Sequence, residues 1–100
     1  MSFEEAEIQA NLCHMFSNVY RVLIIWALDG RELSVGRLAN EIEATQQNTS
    51  QHLRLMKARG FVKSRRKGSK ILYTLTPKAY SDAFCLLTNH CLLYTSDAAD

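Results

Sequence analysis

The sequence predicts a mostly helical single domain with one small β-hairpin, in the order α-α-α-α-β-β-α. Three observations carry that expectation. Apolar residues recur at helical spacing through the first half of the chain. Gly30 and Gly60 stand where two of the helices should stop. Two short runs, rich in β-branched and aromatic residues, flank the turn Lys67-Gly68-Ser69-Lys70. A length of 100 residues, 47% of them hydrophobic, suits one domain with one modest core.

The first helix is expected to end near Met15. Ile8, Leu12, Met15 and Phe16 form its stripe, and Glu4, Glu5 and Glu7 sit early, where the helix dipole favours acids. Ser17 or Asn18 can cap the second helix, which carries Val22, Leu23, Ile25, Trp26 and Leu28. This is the densest apolar run, so it is expected to be buried, and Asp29-Gly30 ends it. A short extended piece, Arg31 to Leu33, leads to Ser34, the cap of a third helix with Val35, Leu38, Ala39 and Ile42 inward.

Thr45 caps the fourth helix after a tight turn. At about 100° per residue, Thr49, Leu53 and Met56 share one face, and Gln47, Gln51 and Arg54 point the other way. Asn48 and Ser50 lie on the flanks. His52 falls beside Leu53, which favours a packed or backbone-bonded histidine over a metal ligand. Phe61 to Arg66 and Ile71 to Thr76 read as strands. In the second, Ile71, Tyr73 and Leu75 alternate with Leu72 and Thr74, so one face can pack on the helices. Pro77 suits the first turn of a closing helix with Tyr80, Ala83, Phe84 and Leu87 on one stripe. Two helices joined by a tight turn and followed by a hairpin make a winged helix-turn-helix.

The formal charge of +2 conceals its distribution. Eight of the twelve Lys and Arg residues fall between Thr45 and Thr76, a stretch that contains no Asp or Glu. Glutamine and asparagine amides can pair with adenine edges, and serine suits several base edges. The candidate base-reading residues are therefore Gln47 and Gln51 first, with Gln46, Asn48, Ser50 and Arg54 around them. Arg65, Arg66, Lys67, Ser69 and Lys70 are placed on the hairpin for phosphates. The competing readings are a solvated polar helix face and a charged hairpin that protects a sheet edge.

The sequence resembles the ArsR/SmtB family of winged-helix repressors. The resemblance rests on ELSVGRLANEI (Glu32 to Ile42), TQQNTSQHLRLMKARGFV (Thr45 to Val62), RRKGSKILYTL and the upstream FSNVYRVLIIWAL, with Ser17 and Arg21. It covers roughly Leu12 to Leu87. It implies a homodimer formed by the first and last helices and a fourth helix in the major groove of double-stranded DNA. It also implies a wing on the backbone or minor groove, and an inducer that releases DNA. Arg21 is expected to anchor the second helix to a carboxylate or a helix end.

The departures from the family pattern matter as well. Ser34 occupies a position where metal-sensing relatives have cysteine, so no soft thiolate site can form there. Trp26 stands where persulfide- or redox-responsive relatives place a second-helix cysteine. Cys13 is read as a small buried hydrophobe. Cys85, with Asp82 and His90, offers an interfacial site, so a thiol-based metal or redox sensor using Cys13 or Cys85 is one alternative. A winged helix used only for protein contact is another. Glu43 sits in the helix-turn-helix turn where glycine is usual, and a left-handed conformation there costs about 1 kcal/mol.

No phosphate-cradling glycine loop, nucleophile elbow or HExxH motif is present, so neither an enzyme nor a cofactor is expected. Three irregularly spaced cysteines and no apolar run of about 18 residues point to the cytoplasm rather than a membrane. Cys91 to Asp100, CLLYTSDAAD, resembles the frame-shifted translation of a sequencing-library transposase adapter. The domain is accordingly expected to occupy residues 1–90 and the adapter-derived stretch residues 91–100. On that reading the gene product continues differently after His90, and without Asp97 and Asp100 the charge rises to +4.

Overall fold

A computed structural model of the chain describes residues 1–82. Its elements are α1 (Phe3–Met15), α2 (Val19–Ala27), β1 (Leu33–Ser34), α3 (Val35–Glu41), α4 (Gln46–Ala58), β2 (Val62–Lys67) and β3 (Lys70–Leu75). Residues 77–82 are helical as well. The stripe positions Ala83, Phe84 and Leu87, the residues Cys85 and His90, and the stretch 91–100 lie outside the described residues.

Each helix starts on a side-chain cap. Ser2 and Glu5 form a reciprocal capping box on α1, with Ser2 Oγ accepting from the Glu5 N–H at 3.1 Å. Asn18, rather than Ser17, caps α2 by accepting from the Tyr20 N–H at 2.9 Å. Ser34 and Thr45 cap α3 and α4 as expected, at 3.2 and 3.0 Å. The helix at residue 77 is capped by Thr76 Oγ1, which accepts from the Ala79 N–H at 3.1 Å and donates to the Gly60 carbonyl at 2.6 Å. That pair of bonds fastens the last described helix to the end of α4.

The sheet has three strands in the order β1-β3-β2, all antiparallel. Strand β1 is an addition to the expected order: Leu33 pairs with Tyr73 and Ser34 with Leu72. It supplies a partner for the free edge of β3 and sinks Leu33 into the core. The expected extended piece, Arg31 to Leu33, overlaps it at Leu33, but two residues are too few to show a period of two, so the pairing itself is not legible in the sequence.

Met15, Ile24, Leu28, Leu38, Leu53, Met56 and Phe61 are the fully closed centre, joining α1, α2, α3, α4 and the entry to β2. Two expectations fail here. The apolar run of α2 is not buried all round: Ile24, Ile25 and Leu28 are inside, whereas Val19, Leu23 and Trp26 are 71%, 40% and 63% exposed. Density of apolar residues does not say how many faces a helix has covered, and only one face of α2 meets α3 and α4. Cys13 is exposed, not buried. Among the described residues α1 enters the core through Leu12 and Met15, leaving Ile8 half exposed.

The turn between α3 and α4 is fixed by backbone bonds. The Ala44 N–H reaches the Ala39 carbonyl at 2.9 Å and the Glu43 N–H reaches Asn40 at 3.3 Å, the Schellman pattern. It forces Glu43 to φ +56, the left-handed region that a Cβ disfavours. Glu43→Gly should therefore raise stability by a few tenths to about 1 kcal/mol, the relief of strain being partly offset by a more flexible unfolded chain. The check is a urea midpoint that moves up with an unchanged m-value.

Candidate nucleic-acid interface

Helix α4 has one locked face and one free face. Thr49, Leu53 and Met56 are wholly buried, and Thr49 Oγ1 donates to the Thr45 carbonyl at 2.8 Å instead of seeking a partner elsewhere. Helical geometry then sends Gln47, Gln51 and Arg54 outward at i, i+4 and i+7, and all three are exposed. Asn48 and Ser50 are half-buried on either flank. Gln46 departs from the row: a Cβ placed on Gly36 would come within 3.4 Å of Gln46 Nε2, so this amide lies across the first turn of α3.

The hairpin is in register from Val62↔Leu75 to Lys67↔Lys70, closed by Gly68-Ser69 with Gly68 at φ +63. Glycine at the first central position is the residue a tight hairpin of this hand requires. Alternation puts Val62, Ser64 and Arg66 on the face shared with Leu75, Tyr73 and Ile71. Tyr73 packs on the core, and Lys57 Nζ of α4 donates to Ser64 Oγ at 2.8 Å. Arg66 thus belongs to the face turned to α4. Lys63, Arg65 and Lys67 occupy the opposite face.

Arg65 is already engaged. Its guanidinium forks onto Glu32, with Nε to Oε2 and Nη2 to Oε1 both at 2.6 Å. The hydrogen bonds from Arg65 hold the Glu32 carboxyl below its ordinary pKa, with further help from the charges of Arg65, Lys67 and Lys63. Both groups are open to solvent, so the pair orients Arg65 more than it stabilises the fold. Among the described residues Arg54, Arg66, Lys67 and Lys70 have no ion-pair partner, and Ser69 is exposed at the loop. Sequence reasoning did not assign Glu32 or Lys57 to this surface, because each acts through a partner fixed only by the fold.

Arg21 does close a helix end, that of α1, and His52 turns toward α2 instead of joining the exposed row. Among the described residues no three His, Cys, Asp or Glu side chains are placed to hold a metal ion. None of the described helices is long and apolar enough to cross a membrane.

A helix-turn-helix whose second helix has one buried and one amide-rich face, followed by a cationic hairpin, defines the winged helix-turn-helix class. A model of the bacterial regulatory proteins of the arsR family matches residues 18–64. The chain is 36% identical over 76 residues to nodulation protein NolR of Rhizobium meliloti, a match covering 76% of this chain and 62% of NolR. The crystal structure of the transcriptional repressor BigR from Xylella fastidiosa is 33% identical, with a TM-score of 0.72, 88% of this chain and 95% of that one being covered. The structure of HlyU from Vibrio cholerae, a transcriptional activator, is 27% identical with a TM-score of 0.76, covering 90% and 99%. The chain belongs to the arsR family of bacterial regulatory proteins. It spans less than two thirds of the length of the curated relatives it matches, at 62% for NolR and 60% for HlyU.

The Arg65–Glu32 fork makes a specific prediction. The Arg65 Nε–H resonance should be exchange-protected in a nitrogen-edited NMR spectrum and lost in Glu32→Gln. A depressed carboxylate keeps its charge as pH falls, so the signal should persist below the usual Glu range of about 4.3 and vanish only under stronger acid.

Proposed function

We propose that this chain is the DNA-binding domain of a dimeric, sequence-specific transcriptional repressor in the cytoplasm, with no enzymatic activity of its own. The N-terminal half of α4 enters the major groove, Gln47 and Gln51 read base edges, and Arg54, Asn48 and Ser50 contact the groove walls. Arg66, Lys67, Ser69 and Lys70 take backbone phosphates, and Arg65 joins them where its carboxylate partner yields. The first and last helices form the dimer, and an inducer of unspecified chemistry releases the DNA.

The observation that carries this reading is the combination on one side of α4. An exposed amide row stands on a helix whose opposite face is locked in the core, in a segment with cations and no acids. A surface kept soluble by charge would not need amides in a line, and a protein-docking face would be expected to carry apolar anchors. BigR, a repressor, and HlyU, an activator, share the fold, which supports DNA binding as the common property; release on induction rests on the family resemblance alone. The thiol-sensor reading gains one point of support, since Cys13 is exposed.

The test is duplex binding by fluorescence anisotropy, using a site selected from a random pool. Gln51→Ala should cost about 1–3 kcal/mol at that site and relax base preference. Replacing Arg66, Lys67 and Lys70 together with glutamine should lower the slope of log K against log salt by about five for a dimer with both wings engaged. Equal affinity for scrambled duplexes would overturn the proposal.

A further inference from the structure

Three helices meet at one buried cation. Arg21 of α2 is only 7% exposed. Its Nε donates to the Met15 carbonyl at 3.3 Å, and its Nη2 donates to the His14 carbonyl at 2.9 Å and to Ser17 Oγ at 3.1 Å. Ser17 Oγ in turn donates to the His14 carbonyl at 2.7 Å. These bonds close the C-terminal end of α1, whose last carbonyls have no helical partner. The remaining nitrogen, Nη1, stands 3.4 Å from Nδ1 of His52, in the middle of α4.

The chemistry of that contact fixes the state of the histidine. A guanidinium has donors only and stays charged at all working pH values. Nδ1 of His52 must therefore be the acceptor, and the ring proton resides on Nε2. Tyr20 covers the imidazole, with ring centroids 6.0 Å apart and an interplanar angle of 26°. The groups facing His52 are thus Arg21 and Tyr20 from α2, with Ser17 and the His14 carbonyl behind Arg21 at the end of α1. No carboxylate among the described residues forms an ion pair with it.

Protonation would turn the acceptor into a donor and set two cations together. Arg21 cannot retreat without giving up its buried bond to the Met15 carbonyl and its bonds to the His14 carbonyl and Ser17. The side chain that yields is His52, which is joined in sequence to Gln51. We propose that His52 is a proton-sensitive positioning residue: its neutral ring seats the middle of α4 against Arg21, and its protonation unseats the helix and weakens DNA binding. Burial first, and then the charge of Arg21, hold the His52 pKa below its ordinary value, consistent with the neutral state at pH 7. A depressed histidine pKa means that the folded state takes up its proton later than the unfolded chain. The stability it contributes is complete above about pH 6.5 and is lost as pH falls from there through the folded pKa.

This inference rests on the DNA-binding reading for its output but not for its switch, and the experiment separates the two. In the DNA-free protein, the His52 ring nitrogens and the Gln51 amide are followed by NMR between pH 7.5 and pH 5. The Gln51 amide should shift with the His52 titration, with an apparent pKa below about 6.5; an amide that does not follow it overturns the proposal. In parallel, affinity for the selected duplex is measured at fixed ionic strength over the same range. Wild type should lose up to about tenfold per pH unit for each protomer of the dimer once His52 titrates. His52→Gln, which keeps an acceptor but cannot titrate, should hold its affinity flat, and a His14→Gln control should behave as wild type. An equal loss in His52→Gln overturns the proposal. If no duplex binds at any pH, the DNA-binding reading fails and the NMR titration alone decides the switch.

Discussion

The burial of Thr49, Leu53 and Met56 against Phe61, Leu38 and the α2 core is the constraint from which the rest of the surface follows. Three wholly enclosed side chains set the preferred roll of this helix about its axis. Whatever stands opposite them is presented to solvent in one orientation, and here that is Gln47, Gln51 and Arg54. The polar face is thus an outcome of apolar packing. The cap at Thr45 and the strained Glu43 serve the same end, since they fix where α4 begins relative to α3.

The hairpin is governed by different physics. It projects from the core, so Ile71 is 44% exposed although its alternation partners Tyr73 and Leu75 pack inward. Its two faces carry cations in different electrostatic settings. Lys63, Arg65 and Lys67 lie within the influence of Glu32, whereas Arg66 shares the face that meets α4 through Ser64. A count of basic residues treats these as one patch. The sheet divides them, and a phosphate approaching Arg65 must compete with a carboxylate already in place.

What was legible in the sequence was local. Ser34, Thr45, Gly60 and Gly68 act on residues within a turn of themselves, so caps, stops and the hairpin loop could be placed directly. The outward direction of Gln47, Gln51 and Arg54 follows from helical geometry when Leu53 and Met56 face the core. What was hidden depends on partners far along the chain. Glu32 meets Arg65 across β3, the extended piece before α3 pairs with β3 about forty residues on, and Gln46 leans on Gly36 because α3 and α4 pack closely there. The exposure of Cys13 and of the Val19–Leu23–Trp26 stripe was equally unreadable. A run of apolar residues records chemistry, and the number of neighbours it meets is a property of the assembled fold.

The bond from Lys57 to Ser64, the two-residue loop and the shared packing of Tyr73 leave the wing little slack relative to α4. Helix and wing behave as the two jaws of a caliper with a set gap. On the proposed DNA-binding reading, a groove too wide or too narrow for that gap would have to adjust itself, and the readiness of a duplex to bend differs from one base step to the next. Sequence preference would then extend to base pairs that no side chain touches.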